Sequence, residues 1–175
     1  MTAEFRSHMA KVPTSVVVAA ALDGDAPIGM VVGTFTSVSL VPPMVGFLGD
    51  LGSTTLPRLI GSGRISFSVL ASEAFPAVTD AFRRPPHERF EGLDWEPSSN
   101  GLPRVKPAVL YVEGPVIGTA PAGDHQIVRV YPELIEAGDG ESPLVFWGGR
   151  MMGVGEAMLS NPVWQLGRVN DKTNR

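Results

Sequence analysis

The sequence predicts a mainly β protein, an antiparallel barrel, closed or partly closed, that carries a few short helices. Three observations predict it. Short apolar stretches with strand patterning follow one another at close intervals. Glycine (20) and proline (16) are abundant among 175 residues, as expected for many strands joined by turns. Helical stretches are few and do not alternate with strands, which disfavours a doubly wound nucleotide fold.

The elements follow in order. Residues 15–21 and 28–34 are strand candidates, and the apolar run through Leu22 passes Asp23-Gly24 into a second run from Pro27, as in a hairpin. A strand over 44–48 follows Pro42-Pro43. Ser53 is a good N-cap, Pro57 is tolerated in a first helical turn, and Gly61 and Gly63 end that helix after Ile60. In 64–70, Ile65, Phe67 and Val69 alternate with Ser66 and Ser68, the pattern of a half-buried strand. Ser72 opens a second short helix whose Phe75, Val78 and Phe82 share one face and are expected in the core. Residues 83–107, rich in Pro and Gly, are expected to form a long surface loop, and loops of that length are often functional. Strands over 108–117, 126–131 and 144–147 complete the set, with Gly114-Pro115 and Pro132 where strands bend, bulge or lie on an edge.

Composition narrows the function classes. Hydrophobic residues at 43% indicate a globular core, and charged residues at only 18% suggest that a second copy covers part of the surface. A net charge of −4 without a basic stripe argues against nucleic acid as a partner. With no cysteine, disulfides, thiolate metal sites and cysteine nucleophiles are excluded. The run 16–22 has the look of a short signal-peptide core, but Glu4 sits before it and a hairpin explains it better. No stretch approaches the ~20 apolar residues of a membrane span. A soluble, cytoplasmic protein is expected.

The familiar catalytic motifs are absent: no G-x-G-x-x-G, G-x-x-x-x-G-K, H-E-x-x-H or G-x-S-x-G. His8, His87 and His125 are far apart, so no metal site is expected. What stands out is hydroxyl chemistry. Thr34, Thr36, Ser37 and Ser39 surround Phe35 and Val38 at a strand end, and Ser53, Thr54 and Thr55 cluster where a helix begins. Such a cluster suits a phosphate. The plainer explanation is a strand's solvent face and an ordinary helix cap.

Taken together, several segments resemble the flavin reductase-like family. They are Phe5-Arg6 with Met9, Pro13-Thr14, Gly29-Met30 leading into Thr34-Phe35-Thr36-Ser37-Val38-Ser39, and Pro42-Pro43. The resemblance continues through Ser53-Thr54, Ser62-Gly63-Arg64, Val69-Leu70, Arg89-Phe90, Trp95, Gly101-Leu102-Pro103, Gly123-Asp124-His125 and Pro143-Leu144. It implies an FMN-binding split barrel that forms a homodimer, binds FMN or FAD, and reduces it with NADH or NADPH. Reduced flavin then passes to a flavin-dependent monooxygenase. Carried over, Thr34, Phe35, Thr36, Ser37 and Ser39 line the ring and ribityl chain, while Ser53, Thr54 and Thr55 sit near the phosphate. Arg89 reaches phosphate, and Gly123, Asp124 and His125 lie beside the ring, with His125 helping to place the nicotinamide. For His125 the plainer alternative is a ring that holds Asp124 or a turn backbone. A reductase domain over 1–152 and a C-terminal tail over 153–175 are expected, and Met158, Leu159 and Trp164 favour packing of that tail, the second subunit being one place for it.

The chain departs from the family pattern at several points. Val31-Val32-Gly33 stands where Thr-Val-Ser or Thr-Val-Asn is common, Ser68 where Asn is common, and Ser15 and Val130 where Gly is common. Asp50, just before the expected phosphate loop, repels phosphate if it points inward. These changes fit a reductase that uses flavin as a diffusible substrate. They also fit a family member acting directly on an organic substrate and, less well, a non-catalytic binding subunit.

Overall fold

The computed structural model describes residues 2–155. Helix α1 (Thr2–Met9) leads to a two-residue strand β1 (Thr14–Ser15) and the hairpin β2 (Val17–Asp23) and β3 (Ala26–Val32). A second hairpin, β4 (Thr36–Leu40) and β5 (Pro43–Asp50), precedes α2 (Leu56–Gly61) and β6 (Arg64–Leu70). A 3₁₀ turn at Ser72–Ala74 runs into α3 (Phe75–Phe82). The short pair β7 (Trp95–Pro97) and β8 (Pro103–Val105) precedes the long β9 (Ala108–Ala122), which returns as β10 (His125–Val130). Strands β11 (Leu134–Ala137), β12 (Leu144–Trp147) and β13 (Arg150–Gly153) follow.

The main sheet is antiparallel throughout, in the order β3-β2-β6-β9-β10-β5-β4, with β11 beside the first half of β9. It curls into a barrel that is only partly closed. Its end strands β3 and β4 do not pair with each other. Just before β4, one side chain carries the β4–β5 register a step further: Thr34 Oγ1 accepts from the Leu48 N–H at 2.9 Å and donates to the Leu48 carbonyl at 3.2 Å. The hydroxyl thus stands in for a missing ladder rung.

Strand β2 explains why 16–22 is apolar without alternation. Val17, Ala19 and Ala21 face the barrel interior with Phe47, Phe67, Ile65 and Val128. Val16, Val18 and Ala20 face an outer layer with Val78, Ala81, Phe90 and Val105. A strand buried on both faces needs apolar residues at every position. That outer layer corrects the expectation of a long surface loop over 83–107: the segment contains a 3₁₀ turn (Pro86–Glu88) and the β7–β8 hairpin, and it buries Phe90 and Val105. Ser66 and Ser68 fasten it: Ser68 Oγ accepts from the Val105 N–H at 3.0 Å, and the Ser66 hydroxyl bonds to the Ala20 and Pro103 carbonyls.

Other expectations are corrected in detail. Residues 36–40 form a strand of their own rather than the end of one. Helix α3 begins at Phe75, behind the 3₁₀ turn that Ser72 opens, and Pro76 occupies its first turn. Its buried residues are Val78 and Ala81, with Ala74 of the preceding turn, which leaves Phe75 40% exposed rather than in the core. Gly114-Pro115 falls where β9 changes partner from β11 to β10, and Pro132 falls between those two strands. Where β10 passes to β11 the chain crosses Gly114 so closely that a Cβ there would collide with the Tyr131 carbonyl oxygen. The expected tail packing through Met158, Leu159 and Trp164 lies outside the described residues.

Candidate functional site

Three of the segments singled out in the sequence meet at one end of the barrel. The first is a cleft of about 430 Å³ lined by Met30, Val31, Ser53, Thr54, Thr55, Phe82 and Arg89, with Gly52 at its edge. Ser53 caps the start of α2: its Oγ accepts from the N–H groups of Thr55 and Leu56, each at 3.2 Å. Thr55 is buried and Thr54 is exposed. Arg89 enters from the outer layer. Its Nη1 donates to the Gly29 carbonyl at 3.0 Å and to Thr55 Oγ1 at 3.4 Å, and its guanidinium lies 5.6 Å from the centre of the Phe82 ring. Burial lowers its pKa from the ordinary guanidinium value, but the group stays charged at neutral pH. One cation beside hydroxyls in a shaped cleft suits an anionic group, phosphate above all.

Asp50 does not oppose this. Its Oδ1 accepts from the Gly52 N–H at 2.7 Å, which closes the turn and commits the carboxylate there. Its neighbour Gly49 is required by the same corner, since a Cβ would lie 2.5 Å from Leu56 Cδ1.

The second segment is the hydroxyl strip. Thr34 is spent on Leu48, as described above. Phe35 packs inward on Phe67, ring centres 4.7 Å apart, so its side chain belongs to the barrel core. Thr36 and Ser37 are exposed and Ser39 is half-buried on β4, the outermost strand of the sheet. None of these five lines the cleft. One wall of the cleft is formed by Met30 and Val31 of β3, the strand that precedes the strip in the chain.

The third is the β9–β10 turn. Gly123 has φ +69°, a left-handed conformation that favours glycine. The Asp124 carbonyl accepts from the Leu51 N–H at 3.1 Å, joining this turn to the corner that leads to Ser53. His125 Nδ1 lies 2.7 Å from Asp124 Oδ1, and His125 sits opposite Asp50 in the β5–β10 ladder. The hydrogen bond to His125, then the charge of that ring, holds the Asp124 carboxyl below its usual pKa. Asp124 is exposed and His125 half-exposed, so the imidazole is oriented but open to a ligand.

The departures at Ser68 and over 31–33 have structural explanations. Ser68 is fully buried and holds β8, so it faces away from the cleft. Val32 packs inside the barrel, Val31 contributes apolar wall, and Gly33 lies against Thr14, where a Cβ would come within 2.9 Å of Oγ1. Sequence reasoning missed Met30 and Phe82 as cleft walls, because neither carries a chemical signature. It also missed a buried ionic cluster in the outer layer. Glu113, wholly inaccessible, accepts from Arg104 Nε at 2.7 Å, Ser98 Oγ at 2.9 Å and Asn100 Nδ2 at 3.2 Å. That cluster holds the β7–β8 hairpin to β9 and takes no part in the cleft.

Among the described residues no group of three or more His, Asp or Glu side chains could hold a metal ion, and no helix is long and apolar enough to cross a membrane. Comparison with known proteins places the chain. The model of the flavin reductase like domain matches residues 9–155. A flavin reductase of Pseudomonas putida is 34% identical over 146 residues, which cover 83% of this chain and 85% of that protein. An NADH-dependent FMN reductase of Agrobacterium fabrum is 32% identical over 147 residues, covering 83% and 82%. Among solved structures, the flavin reductase component of a bacterial two-component tryptophan halogenase superposes with a TM-score of 0.80 at 26% identity, covering 90% of this chain and all of that one. With the split barrel and its rim in hand, these matches settle the family: the chain belongs to the flavin reductase-like proteins.

Proposed function

We propose that this protein is an NAD(P)H:flavin oxidoreductase that reduces FMN or FAD and delivers the reduced flavin to a flavin-dependent monooxygenase. The observation that carries this reading is the cleft in which Arg89 meets Thr55. It offers one cation and several hydroxyls, the donor set a flavin phosphate needs, at the end of the barrel where the His125 turn also lies. Hydride transfer between nicotinamide and flavin is the cofactors' own chemistry, so the protein needs neither a metal nor a nucleophile. Its work is binding, alignment and electrostatics. Arg89, Thr54 and Thr55 hold the phosphate, with Ser53 shaping the loop. Exposed Thr36 and Ser37 and half-buried Ser39 supply polar groups along the ring and ribityl side, and Thr34 and Phe35 set the course of that strand. Asp124 fixes the His125 ring, and His125 stabilises negative charge that develops nearby.

We further propose a cytoplasmic homodimer. Val38 and Leu48 are exposed on the outer face of β4 and β5, beside Ile127 and Arg129 of β10. Arg129 lies between Gly46 and Gly118 in the ladder, which keeps this face flat. Burying it against a second copy removes apolar surface from water. His125 is on the same face, two residues from Ile127, so dimerisation would complete its surroundings.

The test separates phosphate from ring recognition. FMN is expected to bind more tightly than riboflavin, and Arg89→Ala to erase that preference, a loss of about 1.5–3 kcal/mol for a hydrogen bond to a charged group. Equal affinity for FMN and riboflavin in the unmutated protein would remove the phosphate site. His125→Ala is expected to cut turnover far more than flavin affinity.

A further inference from the structure

A second cleft, of about 330 Å³, is lined by residues of the β7–β8 hairpin, β9 and β11, and shares none of them with the Arg89 cleft. Arg104 and Tyr111 form its buried floor, 8% and 6% exposed. Its rim is charged. Glu96 and Lys106 come from the hairpin and its end, Glu136 and Asp139 from β11 and the turn after it.

Most of these charges serve one another. Arg104 Nε donates to Glu113 Oε1 at 2.7 Å and its Nη1 to Glu136 Oε2 at 2.6 Å. Lys106 Nζ donates to Glu96 Oε2 at 3.3 Å. Counting Glu113 behind the floor, two cations meet four carboxylates, so the cleft is not built for an anion. Asp139 has no ion pair among the described residues, and its only hydrogen bond there is a long one, 3.4 Å from the Ala108 N–H.

Two donors of the floor are left over. Arg104 Nη2 and the Tyr111 hydroxyl are buried and have no hydrogen-bond partner among the described residues. They are neighbours, since the Arg104 guanidinium carbon lies 5.0 Å from the centre of the Tyr111 ring. A buried donor left unpaired is costly, and two at the floor of one cleft call for an acceptor that enters it.

We propose that this cleft binds a small neutral organic molecule of the amide class, its carbonyl oxygen against Arg104 Nη2 and the Tyr111 hydroxyl and its N–H towards Asp139. Charged ligands fit less well. A carboxylate adds negative charge where carboxylates are already in excess. An ammonium or amidinium brings no acceptor for the two floor donors. A carbonyl oxygen carries two lone pairs and no net charge, so it can accept both hydrogen bonds. The adjoining N–H then supplies a donor to the Asp139 carboxylate. The volume falls at the small end of the range for ligand pockets.

Benzoate, benzamide and benzamidine place an anion, a neutral amide and a cation on the same ring. The full chain is titrated with each, and the NMR signals of the backbone amides of residues 104–106 and 136–139 are followed. Benzamide is expected to shift them saturably with a Kd of about 1 mM, at least about fivefold tighter than either charged probe. Tyr111→Phe, which keeps the ring, is expected to weaken benzamide about fivefold and to leave FMN binding unchanged. Asp139→Ala, on the exposed rim, is a second variant with the same expected effect. Tighter binding of benzoate or of benzamidine would overturn the amide assignment. No saturable shift with any probe, or unchanged benzamide affinity in both variants, would overturn the site and leave water as the floor's partner.

Discussion

Tyr111 carries a buried hydroxyl with no hydrogen-bond partner among the described residues. Burial, then the charges of Asp139 and Glu96, pushes its pKa up to about 12. The unfolded tyrosine ionises near about 10. The neutral phenol is therefore favoured in the folded state, and its contribution to stability is complete below that value and declines as pH rises towards the folded pKa. Tyr111→Phe removes an unsatisfied polar group and keeps the ring that faces the Arg104 guanidinium at 5.0 Å. Its Tm at neutral pH is expected to equal or exceed that of the parent, with a shallower fall in alkaline buffer. A large loss of stability would mean that the hydroxyl has a partner. Glu113 is the opposite case. Glu113→Ala takes the acceptor from Ser98 and Asn100 and leaves Arg104 paired with Glu136 alone, and should cost about 1–3 kcal/mol in a denaturant titration. At this scale the sequence was informative where residue type carries chemistry. Thr55, Arg89, Asp124 and His125 were all singled out, and all lie at or beside one end of the barrel. It was uninformative where the partner decides the role. Nothing local to Thr34 reveals that its hydroxyl serves Leu48, and nothing local to Glu113 reveals a buried pair with Arg104.

Strand β9 organises the elements. Its first half pairs with β6 and β11 and its second half with β10, and the changeover falls at Gly114-Pro115. Gly114→Ala drives a Cβ into the Tyr131 carbonyl, a backbone atom that cannot step aside. A loss of about 3 kcal/mol is expected, at the upper end for overpacking. A fully stable Gly114→Ala variant would show that the β10–β11 crossing is looser than described. The element pattern was legible for strands with alternation or strong apolar runs, such as 64–70 and 17–23. It was not legible for β7, β8, β11 and β13. These strands are only three or four residues long, and turn residues surround them. Their pairing depends on what the outer layer packs against rather than on any local period.

The whole molecule is a partly closed barrel with an outer layer on one side and a flat, partly apolar face on another. If that face is shared between two copies, Leu48→Glu should convert the protein to a monomer of 18.6 kDa in sedimentation equilibrium and weaken turnover, since His125 lies on the same face. A parent protein that is already monomeric would separate the rim from any dimer. The central claim is flavin reduction, and the most direct measurement is the loss of NADH or NADPH absorbance in the presence of purified protein, with FMN, FAD and riboflavin supplied in turn. Rapid oxidation that requires protein and flavin together is the expected result, faster with the phosphorylated flavins than with riboflavin at limiting concentration. Flavin binding with no oxidation of either nicotinamide would contradict it, and would mean that the barrel holds flavin for other chemistry.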